Sequence, residues 1–263
     1  MRYENDTFVA DVIDPKTQTS VTSGKFLSRT LMFTGIGLAV TLLLMFAVSI
    51  ILKLTVGDAL ITIEQFGNID ALTEIQQNAL LIYGIVLIVS AIVMFAMMIW
   101  INISMIAKGK VNLVAYLIYA GVMGIFLSSF SLVLPFWEIG VAIGITTIVF
   151  GLMALIGFLG GEKIKWFGLI GFGLLIGLSL IGLAAIPIFI FIPGTYAIYY
   201  LIFSIVSLLA ILFITAFDFY RIKKIAQKGE DSKDLALYCA FNLYVDFIYI
   251  LIRILSLLAR AKK

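Results

Sequence analysis

Leu235-Ala-Leu-Tyr-Cys-Ala-Phe-Asn-Leu-Tyr-Val-Asp-Phe-Ile-Tyr-Ile-Leu-Ile-Arg-Ile-Leu-Ser-Leu-Leu258 is an apolar stretch with one carboxylate, Asp246, at its middle. As a helix it spans about 36 Å, enough to cross the ~30 Å of hydrocarbon in a bilayer. An ionised carboxylate at that depth costs roughly 2.5–3.5 kcal/mol even on the lenient insertion scale, so it implies an ion pathway, a proton site or a buried partner. Around it the non-apolar residues Cys239, Asn242, Asp246, Tyr249 and Arg253 follow spacings of three, four, three and four. At 3.6 residues per turn they form one narrow stripe, which should face protein and not lipid. The helix therefore suits the centre of a bundle. Its seam reads either as functional or as a hydrogen-bonded packing seam.

The rest of the chain supplies the bundle. Of 263 residues, 63% are hydrophobic and 13% charged, and the mean hydropathy is +1.17; no soluble domain of this size needs so much apolar surface to form a core. Six further apolar runs are long enough to span: Leu31–Leu52, Ala79–Ile103, Leu113–Leu134, Ile139–Leu159, Phe167–Phe189 and Tyr196–Phe217. The expected class is an all-α polytopic membrane protein with seven transmembrane helices. Residues 1–25 read as a polar cytoplasmic tail and residues 26–263 as the transmembrane domain. The tail has no apolar core followed by a small-residue cleavage site, so the first span reads as an uncleaved insertion signal. Connections are short except at 53–78 and 220–234, which makes successive helices antiparallel neighbours.

Basic residues set the direction. With the N-terminus in the cytoplasm, thirteen lie inside: Arg2, Lys16, Lys25, Arg29, Lys108, Lys110, Lys163, Lys165, Arg221, Lys223, Lys224, Lys228 and Lys233. The opposite loops hold Lys53, beside Asp58, Glu64, Asp70 and Glu74. This bias gives an N-in reading. Arg260, Lys262 and Lys263 then fall outside if the seventh stretch crosses fully, a conflict that a re-entrant helix would remove. Its length favours the full crossing. Gly140 with Gly144, and Gly173 with Gly177, have the GxxxG spacing that lets helix backbones approach; Pro187 and Pro193 flank the turn between the fifth and sixth spans.

A second acid, Asp218, follows the sixth apolar run. If the helix continues to Ile225, Asp218 lies about 10 Å deep, against about 16 Å for Asp246 measured from Leu235, a mismatch that tilt can remove. Arg221, three residues on, offers Asp218 a local surface partner instead. If the two acids meet, they cannot both ionise cheaply in low dielectric and tend to share a proton. Such a pair is a proton sensor, and when fully deprotonated it is an oxygen-rich metal site suited to a hard cation such as Ca²⁺.

Absences limit the chemistry. There is no histidine and one cysteine, which excludes His-based catalysis, an all-protein zinc site and an internal disulfide. Cys239 reads as a small core residue. No Gly-x-Gly-Asp or Ser/Lys pattern of intramembrane proteolysis is present, so no enzyme and no cofactor are expected. The basic residues are explained by topology, which leaves no reason to invoke nucleic acid. Glu138 and Glu162 read as solvated loop charges.

The segment Ala240-Phe-Asn-Leu-Tyr-Val-Asp-Phe-Ile-Tyr-Ile-Leu-Ile-Arg-Ile-Leu resembles the last-helix signature of the Bax inhibitor-1, or transmembrane Bax inhibitor motif, family in its bacterial form. Ala216-Phe-Asp-Phe-Tyr-Arg-Ile-Lys-Lys-Ile resembles the end of that family's sixth helix. The resemblance implies three helical hairpins around a central seventh helix, and a pH-sensitive calcium leak in a bacterial plasma membrane. It also implies that Asp218 and Asp246 form the proton-sharing pair that closes the pore. Prokaryotic members place an arginine near the cytoplasmic end of helix two; Trp100-Ile-Asn-Ile-Ser-Met-Ile-Ala-Lys-Gly-Lys has none, leaving Lys108 or Lys110 as replacements without the bidentate fork.

Three functions follow as expectations. The first is a proton-gated cation leak, for calcium, with Asp218 and Asp246 as sensors and Asn242, Tyr249, Arg253 and Arg221 in the supporting seam. The second is a proton-coupled secondary transporter of a small solute, using Asp246 and Asn242. The third is a non-conducting regulatory membrane protein. The partners common to these readings are lipid and protons, with calcium for the first; protein partners stay open.

Overall fold

Helix boundaries follow from local capping chemistry. The computed structural model describes residues 15–56, 73–191, 196–229 and 232–261. Helix α1 runs Pro15–Val56, starting ahead of residue 25 at a proline suited to a helical first turn. Helix α2, Glu74–Lys108, is opened by a capping box, in which Gln76 N–H donates to the Thr73 hydroxyl while Thr73 N–H donates to Gln76 Oε1. It closes at Gly109, whose φ of 62° is the left-handed cap that glycine adopts without penalty. The Asn112 side chain accepts from Val114 N–H at 2.9 Å and opens α3, Leu113–Leu127.

A serine-rich 3₁₀ turn, Ser128–Leu132, then ends the third span. There the hydroxyls of Ser128, Ser129 and Ser131 donate back to carbonyls three residues earlier and compete with continued α-helix. Helix α4 is Phe136–Leu159, and a one-turn 3₁₀ segment, Glu162–Ile164, leads into α5, Lys165–Phe191. Helix α6 is Tyr196–Gln227 and α7 is Lys233–Ala261. All seven spans read from the sequence lie in helices long and apolar enough to cross a membrane, and the described residues contain no strand. This is a multi-pass membrane protein. Helix α7 is one uninterrupted rod of 29 residues, about 43 Å long, and not a re-entrant pair.

Helix α7 is the axis. Of its most apolar window 67% is buried, against at most 44% for the other spans, and it packs on α1, α3, α4 and α6. The outer helices refine the expected hairpins. Helix α1 touches α2 only lightly and packs chiefly on α3, which also carries α2; α6 is flanked by both α5 and α4. Two groups of three thus enclose α7. Lipid offers no hydrophobic drive for this assembly, so close fit and polar ties decide it. Tyr116, Tyr119, Phe241 and Tyr244 stack edge-on between α3 and α7. Thr41 of α1 donates to Ala120 O at 2.8 Å and lies 2.7 Å from the Tyr244 hydroxyl, while Tyr116 donates to Phe33 O. Leu43, Leu81 and Leu183 turn outward on the bundle's apolar exterior.

The GxxxG reading is overturned. Gly140, Gly144, Gly173 and Gly177 have nothing within 4 Å of where a Cβ would stand, so they pack no helix. The close approach occurs at Gly157, where a Cβ would lie 2.5 Å from Ala216 O and 2.6 Å from Phe219 Cβ. That contact brings α4 against the part of α6 that carries Asp218. Pro193, Asp58, Glu64, Asp70, Lys262 and Lys263 lie outside the described residues.

Candidate functional site: a carboxylate pair in a helix-lined cavity

Four helices enclose a cavity of about 290 Å³. Helix α2 gives it Asn102, α5 gives Phe172 and Leu175, α6 gives Asp218 and Arg221, and α7 gives Asn242, Asp246 and Tyr249. The stripe on α7 therefore faces protein. Asp246 is 7% exposed, and Asp218 is partly exposed on the cavity wall. Their carboxyl groups stand within hydrogen-bonding reach of each other across the α6–α7 interface.

The pair lacks a donor when both acids are ionised. Asp246 Oδ2 is buried with no hydrogen-bond partner among the described residues. One proton on either carboxyl supplies the missing donor and converts a repulsive contact into a short, charge-assisted bond. The Thr215 hydroxyl stands beside Asp246 and donates to Ile211 O at 2.8 Å. A hydroxyl has one proton, so Thr215 serves either that carbonyl or the carboxylate.

Arg221 is the cation beside the pair. It lies close enough to act electrostatically on Asp218 but makes no hydrogen bond with it, so the local ion pair open to it in sequence is not formed. Neither Lys108 nor Lys110 lines the cavity, and both are exposed. The expected lysine replacement on helix two is thus not what the structure builds. Helix α2 contributes Asn102 instead, which accepts from the Tyr238 hydroxyl at 3.0 Å and donates to its own helix at Met98 O. Neither Asn102 nor Tyr238 was singled out in sequence. Asn102 is the lone amide within α2's apolar run, and Tyr238 precedes the seam by one residue, which are the signals that pointed to them.

Arg253 is misplaced by the seam reading. It lies outside the carboxylate cavity and lines a second one, toward the Ala261 end of α7. Its expected supporting role for the aspartates is not seen. Spacings of three and four average 3.5, so the stripe drifts about 20° per heptad around a 3.6-residue helix. Tyr249 sits where the two cavities meet, lining both and 38% exposed.

Glu138 departs from the solvated-loop reading, whereas Glu162 keeps it. Glu138 is 7% exposed within the first turn of α4, near Phe136, whose ring carries the Lys53 ammonium at 4.1 Å. Glu162 is solvent-facing but engaged: Lys165 donates to it, Lys224 lies 3.1 Å away and the Tyr220 hydroxyl 3.3 Å. These contacts and the bond from Lys223 to Phe158 O at 2.6 Å fasten the α4–α5 turn to the end of α6.

Among the described residues no three acidic or thiol side chains cluster as a metal cage. Two carboxylates fall short of the about six to eight oxygens that Ca²⁺ takes.

A family model described as inhibitor of apoptosis-promoting Bax1 matches residues 23–263, nearly the whole chain. The chain belongs to the Bax inhibitor-1 family. No curated protein matches it. In this member of the Bax inhibitor-1 family, the helix-six and helix-seven motifs quoted above supply the two acids that meet, while α2 supplies an amide and not a cation.

Proposed function

We propose that this chain is a pH-sensitive cation leak, conducting calcium, in which a proton shared by Asp218 and Asp246 holds α6 against α7. The reading rests on the meeting of the two carboxyl groups inside one cavity. With one proton present the pair is a hydrogen-bonded latch. With none, two like charges in a poorly screened site repel and offer oxygens to a cation. The leak is therefore expected to rise with pH. The protein is not an enzyme on this reading, needs no cofactor, and acts on protons and calcium.

We place it in the plasma membrane of a bacterium with the N-terminus inside. The loop-charge asymmetry supports that orientation, and the family's bacterial motifs support the location. The test is calcium flux into proteoliposomes across a range of pH. Wild type should leak with a pH dependence that Asp246→Asn abolishes, because an amide donates to Asp218 at every pH. Zero flux under all conditions, or an unchanged pH profile in Asp246→Asn, overturns the proposal.

A further inference from the structure

The second cavity, about 450 Å³, is lined by Leu175 and Ser179 of α5, Tyr200, Ser207 and Ile211 of α6, and Tyr249, Arg253 and Ser256 of α7. Leu175, Ile211 and Tyr249 also line the carboxylate cavity, so these three side chains form the partition between the two. Along α7, Arg253 lies about 10 Å beyond Asp246.

Arg253 is half-buried in a membrane span and meets no carboxylate among the described residues. It lies over the ring of Phe203, 5.3 Å from the guanidinium carbon, and close enough to Tyr200 for an electrostatic interaction. A ring attracts the positive charge but accepts none of the in-plane N–H bonds, so the fork of five donors is left unfilled. Leaving a cation unpaired in low dielectric is expensive, and its usual complement is a planar or tetrahedral oxyanion held by two parallel bonds. The surroundings add to the case. Ser256, one turn further along α7, brings a hydroxyl to the same cavity, and Arg260, a second turn on, places its own charge over the Tyr200 ring at 3.7 Å. Ser179 and Ser207 already donate to carbonyls of their own helices, which leaves Arg253, Ser256 and the tyrosines Tyr200 and Tyr249 as the other donor-bearing residues of the wall. None of the residues lining this cavity is acidic.

We infer that the cavity around Arg253 is an oxyanion site, which takes the phosphate group of either a phospholipid headgroup or a free phosphate solute. The site is separate from the aspartate pair, and the inference does not depend on the leak. If both hold, an anion on Arg253 would cancel the positive charge that a cation meets beyond Tyr249.

The test uses the full chain. Purified in detergent free of phospholipid, it is titrated with radiolabelled inorganic phosphate at fixed ionic strength, with chloride as the competing control. In parallel, chain reconstituted with phosphatidylcholine and phosphatidylglycerol is re-extracted, and retained lipid is counted by native mass spectrometry. Saturable phosphate binding that chloride does not displace assigns a solute site; selective retention of phosphatidylglycerol assigns a headgroup site. Either should weaken roughly tenfold or more in Arg253→Gln, and less in Arg253→Lys, which keeps the charge without the fork. Ser256→Ala gives a second, milder loss if Arg253→Gln folds poorly. Asp218→Asn should leave binding intact. Absence of both phosphate binding and lipid selectivity, equal affinity in Arg253→Gln, or loss in Asp218→Asn matching that in Arg253→Gln overturns the assignment.

Discussion

The Tyr238 hydroxyl donates to Asn102 Oδ1 at 3.0 Å, and this bond ties α2 to α7 at the wall of the carboxylate cavity. It is a neutral bond in a partly buried setting, with a net worth of about 0.5–1.5 kcal/mol. Tyr238→Phe should lower the thermal unfolding temperature slightly and raise leak at every pH, without moving the pH midpoint, since the bond joins neither aspartate of the pair. Flux and melting curves on the same preparation check this; a shifted midpoint would place Tyr238 in the proton latch itself.

Thr215 has the opposite signature. Its hydroxyl can turn from Ile211 O to solvate the Asp246 carboxylate. Thr215→Val keeps the shape and removes that donor, so the fully ionised pair becomes harder to reach and the midpoint of flux against pH moves alkaline by about one unit. Thr215→Ser should restore it. An acid shift in Thr215→Val would contradict the sign.

Gly157 and Gly144 separate close packing from mere spacing. Gly157→Ala forces a methyl against Ala216 O and Phe219 Cβ, with backbone on one side unable to yield cheaply; overpacking of this kind costs about 1–3 kcal/mol. Gly144→Ala meets nothing within 4 Å and should be neutral or slightly stabilising. Denaturation in detergent reads both. Equal losses would mean that Gly144 does pack a helix.

Glu162 has three polar partners, and the two that are charged, Lys165 and Lys224, are at the surface. Exposed ion pairs contribute little because water screens them and their side chains lose freedom. Glu162→Gln is expected to leave the melting temperature unchanged in physiological salt. A substantial fall would show that the α4–α5 turn depends on this clasp.

The spans and the two acids were legible in sequence for a physical reason. Apolar runs and buried charges are strong local signals, because hydrocarbon penalises any exception. Asp246 and Asn242 were readable from helical phase on one element. The cavity's far walls were not, since Asn102 and Leu175 belong to helices whose apolar residues look alike on every side. Phase also decayed with distance: the small misfit between a 3.5-residue pattern and a 3.6-residue helix carried Arg253 out of the aspartate cavity. Spacing alone misjudged the glycines, because GxxxG records which residues share a face and not whether a neighbour is present. Glu138 sits in a short turn by sequence, but it falls within the first turn of α4, where burial is set by how α4 packs.

The burial of α7 by helices that precede it in the chain has a consequence for biosynthesis. A ribosome delivers six spans to the bilayer before the helix they enclose has been made. Until Lys233–Ala261 arrives, the groove that will receive it must be filled by lipid tails or held by the insertion machinery. The apolar lining of that groove makes the first choice tolerable, and the arriving seam, with its carboxylate, must then find its partners by displacing fat.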